Sequence, residues 1–422
     1  MSWSGSCARF PDGGCMALRV AFLTHEPFHP PSGGGSAEAP YLVRELRRRR
    51  HGVDLFCPVF ETPGWVAGDA GIQVHDFWGW EMGRYTRLRT LKYLLYPWAL
   101  AAQVRRVACE QGGARPAWDV LFAQHTISSV AAGLARRRVG GRLVFNYLDF
   151  LTGFMEAWPA AFTRTGLVKG LKRYELTMPA RFGAEGVLTV SEPLADRLVA
   201  SGCPRDRVRP LMYGYDSRLF RPGQPVAAGR APVVVMHGSF DRHHLGRIAM
   251  DAVVAVHGAR PEVVFRFVGK ETANLTRFVG EARRRCPGLV LECPGFVPYE
   301  ELPRCLHDAA VGIVPYEATE GAHCAFVAKA VEYLGCGLPV ASTPLENLSR
   351  HFADEPAIRF SGFDGASLAA RIIEWLGVPP ALRVELGRAA SARVASELDW
   401  GAIARRAVDF VEQVGRAEGG RA

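Results

Sequence analysis

Glu332 is the residue of this chain whose setting most needs a chemical explanation. It stands in CAFVAKAVEYLGCGLPVAS, residues 324–342, where the small and apolar segment Ala325–Leu334 reads as a helix buried on most of its faces. A carboxylate there needs a partner or a ligand, because an unpaired charge is costly to remove from water. Lys329 lies one turn earlier on the same helical face, placed to pair with the acid or to meet a phosphate. Gly335 and Gly337 end the helix, Pro339 fixes the turn, and Val340-Ala341 opens a strand. A second candidate is Gly33-Gly34-Gly35, after the first buried strand and before a helix that Ser36 is suited to cap. Three glycines let backbone N–H groups approach an anion without a Cβ in the way, although a simple tight turn uses the same residues. His25 and Glu26 close the strand before this loop. His125 follows the strand DVLFAQ and either hydrogen-bonds a reacting centre or is held within a wall between domains. Asp149, at the end of FNYLDF, is a candidate of the same kind.

These residues sit where an alternating fold puts ligands. From Leu18 the chain reads strand, helix, strand: LRVAFLT, a helix over 37–50, VDLFCPV, then DVLFAQ, a helix over 126–138, and RLVFNYL. That spacing predicts parallel βαβ units whose ligands gather at the carboxyl ends of the strands. The stretch PGQPVAAGRAP, residues 222–232, lacks periodicity and reads as a linker, after which the alternation restarts with PVVVMHG. The expected fold is α/β, with two Rossmann-like, doubly wound domains facing a central cleft. The first spans 16–222 and the second 223–398, while 399–422 forms a C-terminal helix that crosses back onto the first domain.

Composition narrows the function classes. With 422 residues and 48% hydrophobic content, the chain is too long for one ordinary core. Its ten cysteines form no CxxC pair, so reduced thiols in a cytoplasm fit better than a disulfide framework or a structural zinc site. Residues 1–15 contain no apolar run of signal-peptide type, and no run approaches the ~18 residues that span a bilayer. A net charge of +9 favours anionic partners, yet no nucleic-acid-binding signature accompanies it. Between His75 and Leu100, aromatic residues alternate with arginines, which reads either as an acceptor-binding or membrane-facing surface or as a packed helix face.

The segment around Glu332 resembles the nucleotide-binding helix of retaining GT-B glycosyltransferases of family 4, and the resemblance extends over nearly the whole chain. Residues 186–223 are similar to the family's stretch ending the first domain, with Ser191, Gly202, Pro204, Gly214, Asp216, Phe220 and Pro222 in place and Tyr213 where asparagine is usual. The resemblance implies that Glu332 binds the ribose hydroxyls of a nucleotide-sugar donor. It implies that Gly34 and Gly35 lie against the donor phosphates, that Gly238 and Ser239 offer backbone donors to them, and that Phe296 and Val297 read the base. Arg242, with Arg247 or Lys270, would neutralise the leaving diphosphate, and His125 would orient the donor sugar. His25, Glu26 and Asp149 would face the acceptor. Cys324 stands where the family carries its first glutamate, so Glu320 is the expected substitute, with the amides of Gly321, Ala322, His323, Ala325 and Phe326 on sugar hydroxyls. No DxD-like pair marks a metal site, which implies metal-independent chemistry with no cofactor. The expected partners are a nucleoside-diphosphate sugar and a glycan, lipid or small-molecule acceptor, with peripheral contact at the inner face of a membrane as one setting and no nucleic acid. Two other readings stay open: a catalytically silent nucleotide-sugar-binding subunit, and a GT-B sugar epimerase.

Overall fold

Short runs of β-branched and aromatic residues bounded by glycine and proline form thirteen strands in the computed structural model, which describes residues 17–29, 34–77, 89–113, 115–157, 166–223 and 229–417. The first sheet contains β1 (Arg19–Leu23), β2 (Gly52–Pro58), β3 (Ile72–Phe77), β4 (Val120–Gln124), β5 (Arg142–Tyr147), β6 (Gly186–Thr189) and β7 (Val208–Pro210). Its order is β3-β2-β1-β4-β5-β6-β7, and every pairing is parallel. The second contains β8 (Val233–His237), β9 (Val264–Val268), β10 (Val290–Gly295), β11 (Val311–Val314), β12 (Val340–Ser342) and β13 (Ile358–Phe360). Its order, β10-β9-β8-β11-β12-β13, is again wholly parallel. Both orders reverse beside the first strand of the sheet, the position where open α/β sheets leave a crevice for ligands. The central strands are buried along their length, as helices on both faces require.

The closing helices tie the halves together. Pro380–Leu398 packs on the second domain, where the Ser391 hydroxyl donates to the Gly335 carbonyl at 2.8 Å. Tyr215 then bridges to Asp399, and Trp400–Arg416 returns to the first domain, packing on the helix Gly34–Arg48 and on β4, β5 and β6. Trp400 stacks on Tyr41 at 5.5 Å and meets Tyr213 edge-on at 4.6 Å.

Two local expectations change. The helix expected over 325–334 is broken: Glu320–Cys324 forms one short helix, Ala325 turns extended, and Ala328–Gly335 forms the next. The aromatic run after His75 divides between core and solvent. Tyr96 is buried and stacks on Phe77 at 5.3 Å, whereas Trp98 is 65% exposed; residues 78–88 lie outside the described residues. The eight described cysteines are all free, and no helix among the described residues is long and apolar enough to cross a membrane.

Candidate functional site

Glu332 does have a partner, and it is one that no motif announces. The carboxyl end of β8 delivers His237, whose Nε2 lies 2.6 Å from Glu332 Oε2. The Tyr333 hydroxyl, from the same helix as Glu332, accepts the His237 backbone N–H at 3.0 Å, which fixes the strand end against the helix. A second donor to the carboxylate is the Tyr299 hydroxyl, from the segment after β10. Glu332 is thus buried yet held from two sides at the strand ends of the second domain. Lys329 does not ion-pair with it: its ammonium sits 4.7 Å over the Tyr316 ring. Burial pulls the Lys329 pKa down to about 7, against the attraction of Glu332 and Asp241.

The loop after β8 wraps this lysine. Gly238 takes φ +102°, and a Cβ there would lie 3.4 Å from Lys329 Cε, so the glycine brings backbone to the ammonium. Its N–H is already donated to the Val268 carbonyl at 2.9 Å, so Gly238 is not the open phosphate donor that the sequence suggests, while the Ser239 hydroxyl meets His244 Nδ1 at 3.0 Å. Lys270 follows β9 beside this loop, where Gly269 packs directly on the Gly238 carbonyl. Arg242 is exposed and lines, with Arg247, Arg277 and Arg285, a cavity of about 840 Å³ that neither Gly238, Lys329 nor Glu332 lines. The structure therefore assembles Lys329 with Glu332 and leaves Arg242 outside that cluster. Phe296 is 73% exposed just after β10, with Val297 half-buried behind it.

The segment 320–326 serves the contact between domains. Glu320 Oε2 pairs with Lys172 Nζ of the first domain at 2.9 Å. The Ser191 hydroxyl, which also caps the helix Glu192–Ala200, donates to the Cys324 carbonyl. Gly321 packs on Gly153 so closely that a Cβ on either would collide with the other's backbone. Three of the five amides expected to meet sugar hydroxyls are engaged within the segment: Ala322 N–H donates to Thr319 Oγ1 at 3.0 Å, His323 N–H to the Thr319 carbonyl at 2.9 Å, and Ala325 N–H to the Gly321 carbonyl at 2.9 Å. His323 Nδ1 accepts from the Glu346 amide, and Phe326 packs on His351 and Phe352. Cys324 is fully buried, and desolvation pushes its thiol up to about 12, so nothing ionic stands in the place of a first glutamate.

Across the cleft, His25 and His125 meet edge to face at 5.0 Å at the ends of β1 and β4. His125 adopts φ +67°, a strained backbone for a non-glycine residue at a helix start. Asp149 follows β5, and Glu26 donates its backbone N–H to Thr24 Oγ1 at 3.3 Å. The helix beginning at Gly34 carries Gly35 in its first turn and Glu38 in the core beneath it. Gln124 and Asn146 donate to Glu38 Oε2 at 3.1 and 2.6 Å. Burial raises Glu38 to about 7 despite those bonds.

Sequence reasoning missed His237, Tyr299 and Glu38, since a lone residue at a strand end, in a turn or in a helix carries no spacing signal. It also missed the use of Tyr213. Its buried hydroxyl has no hydrogen-bond partner among the described residues, and Glu38, Glu332, Glu26 and Asp149 all act on it electrostatically. Acids from both domains therefore converge on this one side chain.

Comparison with known proteins agrees with this geometry. A glycosyl transferase 4-like domain model matches residues 33–214, and a model for glycosyl transferases group 1 matches 231–377. The Escherichia coli K12 protein WcaL, named for a glycosyltransferase of colanic acid biosynthesis, is 27% identical over 167 residues, 37% of this chain and 39% of that protein. Anabaena HepE, solved with UDP and glucose, superposes with a TM-score of 0.67 at 17% identity over 93% of this chain and 99% of that one. Sucrose-phosphate synthase from Thermosynechococcus elongatus superposes at 0.73 with 19% identity, over 95% and 100% of the two chains. Two matched domains in the expected order, on two parallel sheets with their strand ends facing a cleft, make this chain a GT-B glycosyltransferase of the group 1/4 type.

Proposed function

We propose that this protein is a retaining glycosyltransferase that moves a sugar from a nucleoside-diphosphate donor to a hydroxyl of a glycan, lipid-linked or small-molecule acceptor. The observation that carries the reading is Glu332, oriented by His237 at the end of β8 and buried at the strand ends of the second domain. A ribose competes with the Tyr299 hydroxyl for that carboxylate. Phe296, exposed at the rim, offers its face to the base. The diphosphate lies over the Gly238 turn, where Lys329 and Lys270 supply positive charge as the glycosidic bond breaks. Binding an anion there raises the Lys329 pKa and holds it charged. The acceptor hydroxyl enters from the His25, His125 and Asp149 side and attacks on the face that the diphosphate leaves, passing its proton to the departing phosphate. Neither an enzymic nucleophile nor a metal is required by this route.

Nucleotide sugars of known proteins with this fold motivate the first assay, beginning with UDP-glucose, a ligand in a HepE structure. A donor present at a hundred times its dissociation constant stabilises the folded chain by about 2.7 kcal/mol. Glu332→Ala is expected to remove that stabilisation and donor turnover together. If no nucleoside-diphosphate sugar shifts the melting temperature of the wild-type chain, the reading is wrong. Cys324, in place of an acid, motivates a second reading as a silent binding subunit. Stabilisation without release of nucleotide, in the presence of a panel of acceptors, would select it.

A further inference from the structure

The turn after β8 concentrates ligand atoms in a way that the donor chemistry above does not use. In Asp241-Arg242-His243-His244 the backbone folds back, with the His244 and Leu245 amides both donating to the Asp241 carbonyl at 3.0 and 2.9 Å. This brings the Asp241 carboxylate to 3.9 Å from His244 Nδ1 and sets the two imidazoles side by side, ring centroids 3.8 Å apart. One donor atom from each of Asp241, His243 and His244 lies within 4.8 Å of the other two. Zinc-type ions take nitrogen and oxygen ligands at about 2.0–2.2 Å, so small side-chain rotations close that set around one ion. Two imidazoles and a carboxylate suit a borderline divalent transition ion rather than Mg²⁺ or Ca²⁺, which prefer all-oxygen cages.

We propose that Asp241, His243 and His244 form a divalent transition-metal site at the edge of the interdomain cleft. Its surroundings hold the ligands in place: Tyr316 packs on the His244 ring at 4.4 Å, and Phe154 of the first domain covers His243 at 4.9 Å. The Ser239 hydroxyl, 3.0 Å from His244 Nδ1, gives up that nitrogen when an ion takes it. The His243 carbonyl accepts the Glu317 amide at 2.9 Å, which anchors the turn to the end of β11. Three protein ligands leave a coordination position open, and Asp241, 55% exposed, keeps the site within reach of solvent. The Lys329 ammonium acts on the same imidazoles and opposes a second cation; an anion bridging the two relieves that opposition. The ion would therefore bind cooperatively with a diphosphate, and this second statement rests on the donor reading above. The ion assists the charge stabilisation and is not required for basal turnover.

The test uses the full chain stripped with chelator and titrated with Zn²⁺ and Co²⁺, the latter read by its visible ligand-field bands. One equivalent is expected to bind, with affinity falling at least tenfold in Asp241→Ala and in His243→Ala. Asp241 is a surface residue, so its variant keeps the fold even if a histidine variant does not; circular dichroism checks both. Absence of a stoichiometric ion, or binding indifferent to both variants, overturns the site. UDP is then titrated with and without Zn²⁺. Mutual tightening of several-fold supports its place beside the diphosphate, because such coupling is reciprocal. Metal binding that leaves UDP affinity unchanged overturns that placement, and failure of UDP to bind in either state counts against the donor reading instead.

Discussion

Lys329 pays for its position in stability. Its proton is held less tightly in the folded chain, where its pKa is about 7, than in the unfolded chain, where it is near 10.5. The cost of burying the charge is therefore felt in full below pH 7 and recovered as pH climbs from 7 toward 10.5. Lys329→Met is expected to raise the melting temperature at pH 6–7, by roughly 2–4 °C for each kcal/mol recovered, while weakening UDP binding more than tenfold. Differential scanning calorimetry and titration calorimetry on the same sample check both. Glu38 runs with the opposite sign. Its carboxyl rises from 4.5 to about 7 on folding, so it costs stability as pH rises through that window. Glu38→Gln keeps the shape and removes the cost. The variant should gain on the wild type by on the order of 3 kcal/mol between pH 4.5 and 7, measured by urea midpoints at each pH.

At the scale of elements, the broken helix between Glu320 and Gly335 explains why one spacing motif misleads. Glutamates eight residues apart share a face only on a continuous helix, and here Ala325 is extended. The first position faces the neighbouring domain, where Ser191 seals the Cys324 carbonyl. Cys324→Glu should therefore fail to improve donor binding. A carboxylate in that fully buried place is expected to lower stability by about 3 kcal/mol or more and to loosen the contact between Gly153 and Gly321. Chemical denaturation and UDP affinity of the variant decide the point. The Lys172–Glu320 pair beside it is partly exposed and adds little to stability; its value lies in orientation.

For the whole molecule, the connection that matters is the return of the last helix. Trp400 is buried against Tyr41 and Tyr213, and Gly214 lies so close that a Cβ there would come within 2.7 Å of its ring. This contact joins the helix start, the hinge segment and the first sheet. Trp400→Ala should cost about 3–5 kcal/mol and lower UDP affinity, although Trp400 touches no predicted ligand residue. Equilibrium unfolding followed by fluorescence and circular dichroism measures the first effect, and titration calorimetry the second. A variant with wild-type stability would show that the last helix is merely appended.

The alternating hydrophobic pattern alone determined two doubly wound domains, because strand and helix periods are local properties of the chain. Glu332 was legible for a similar reason: a lone acid in an apolar helix is a conflict that local sequence cannot resolve. What resolves it is tertiary. His237 lies 95 positions away in sequence and reaches Glu332 because β8 ends beside that helix. The engagement of the Ala322, His323 and Ala325 amides, the isolation of Arg242 and the approach of Asp241 to His243 and His244 likewise depend on turns and domain contacts. Residue spacing carries no record of those until the chain has closed on itself.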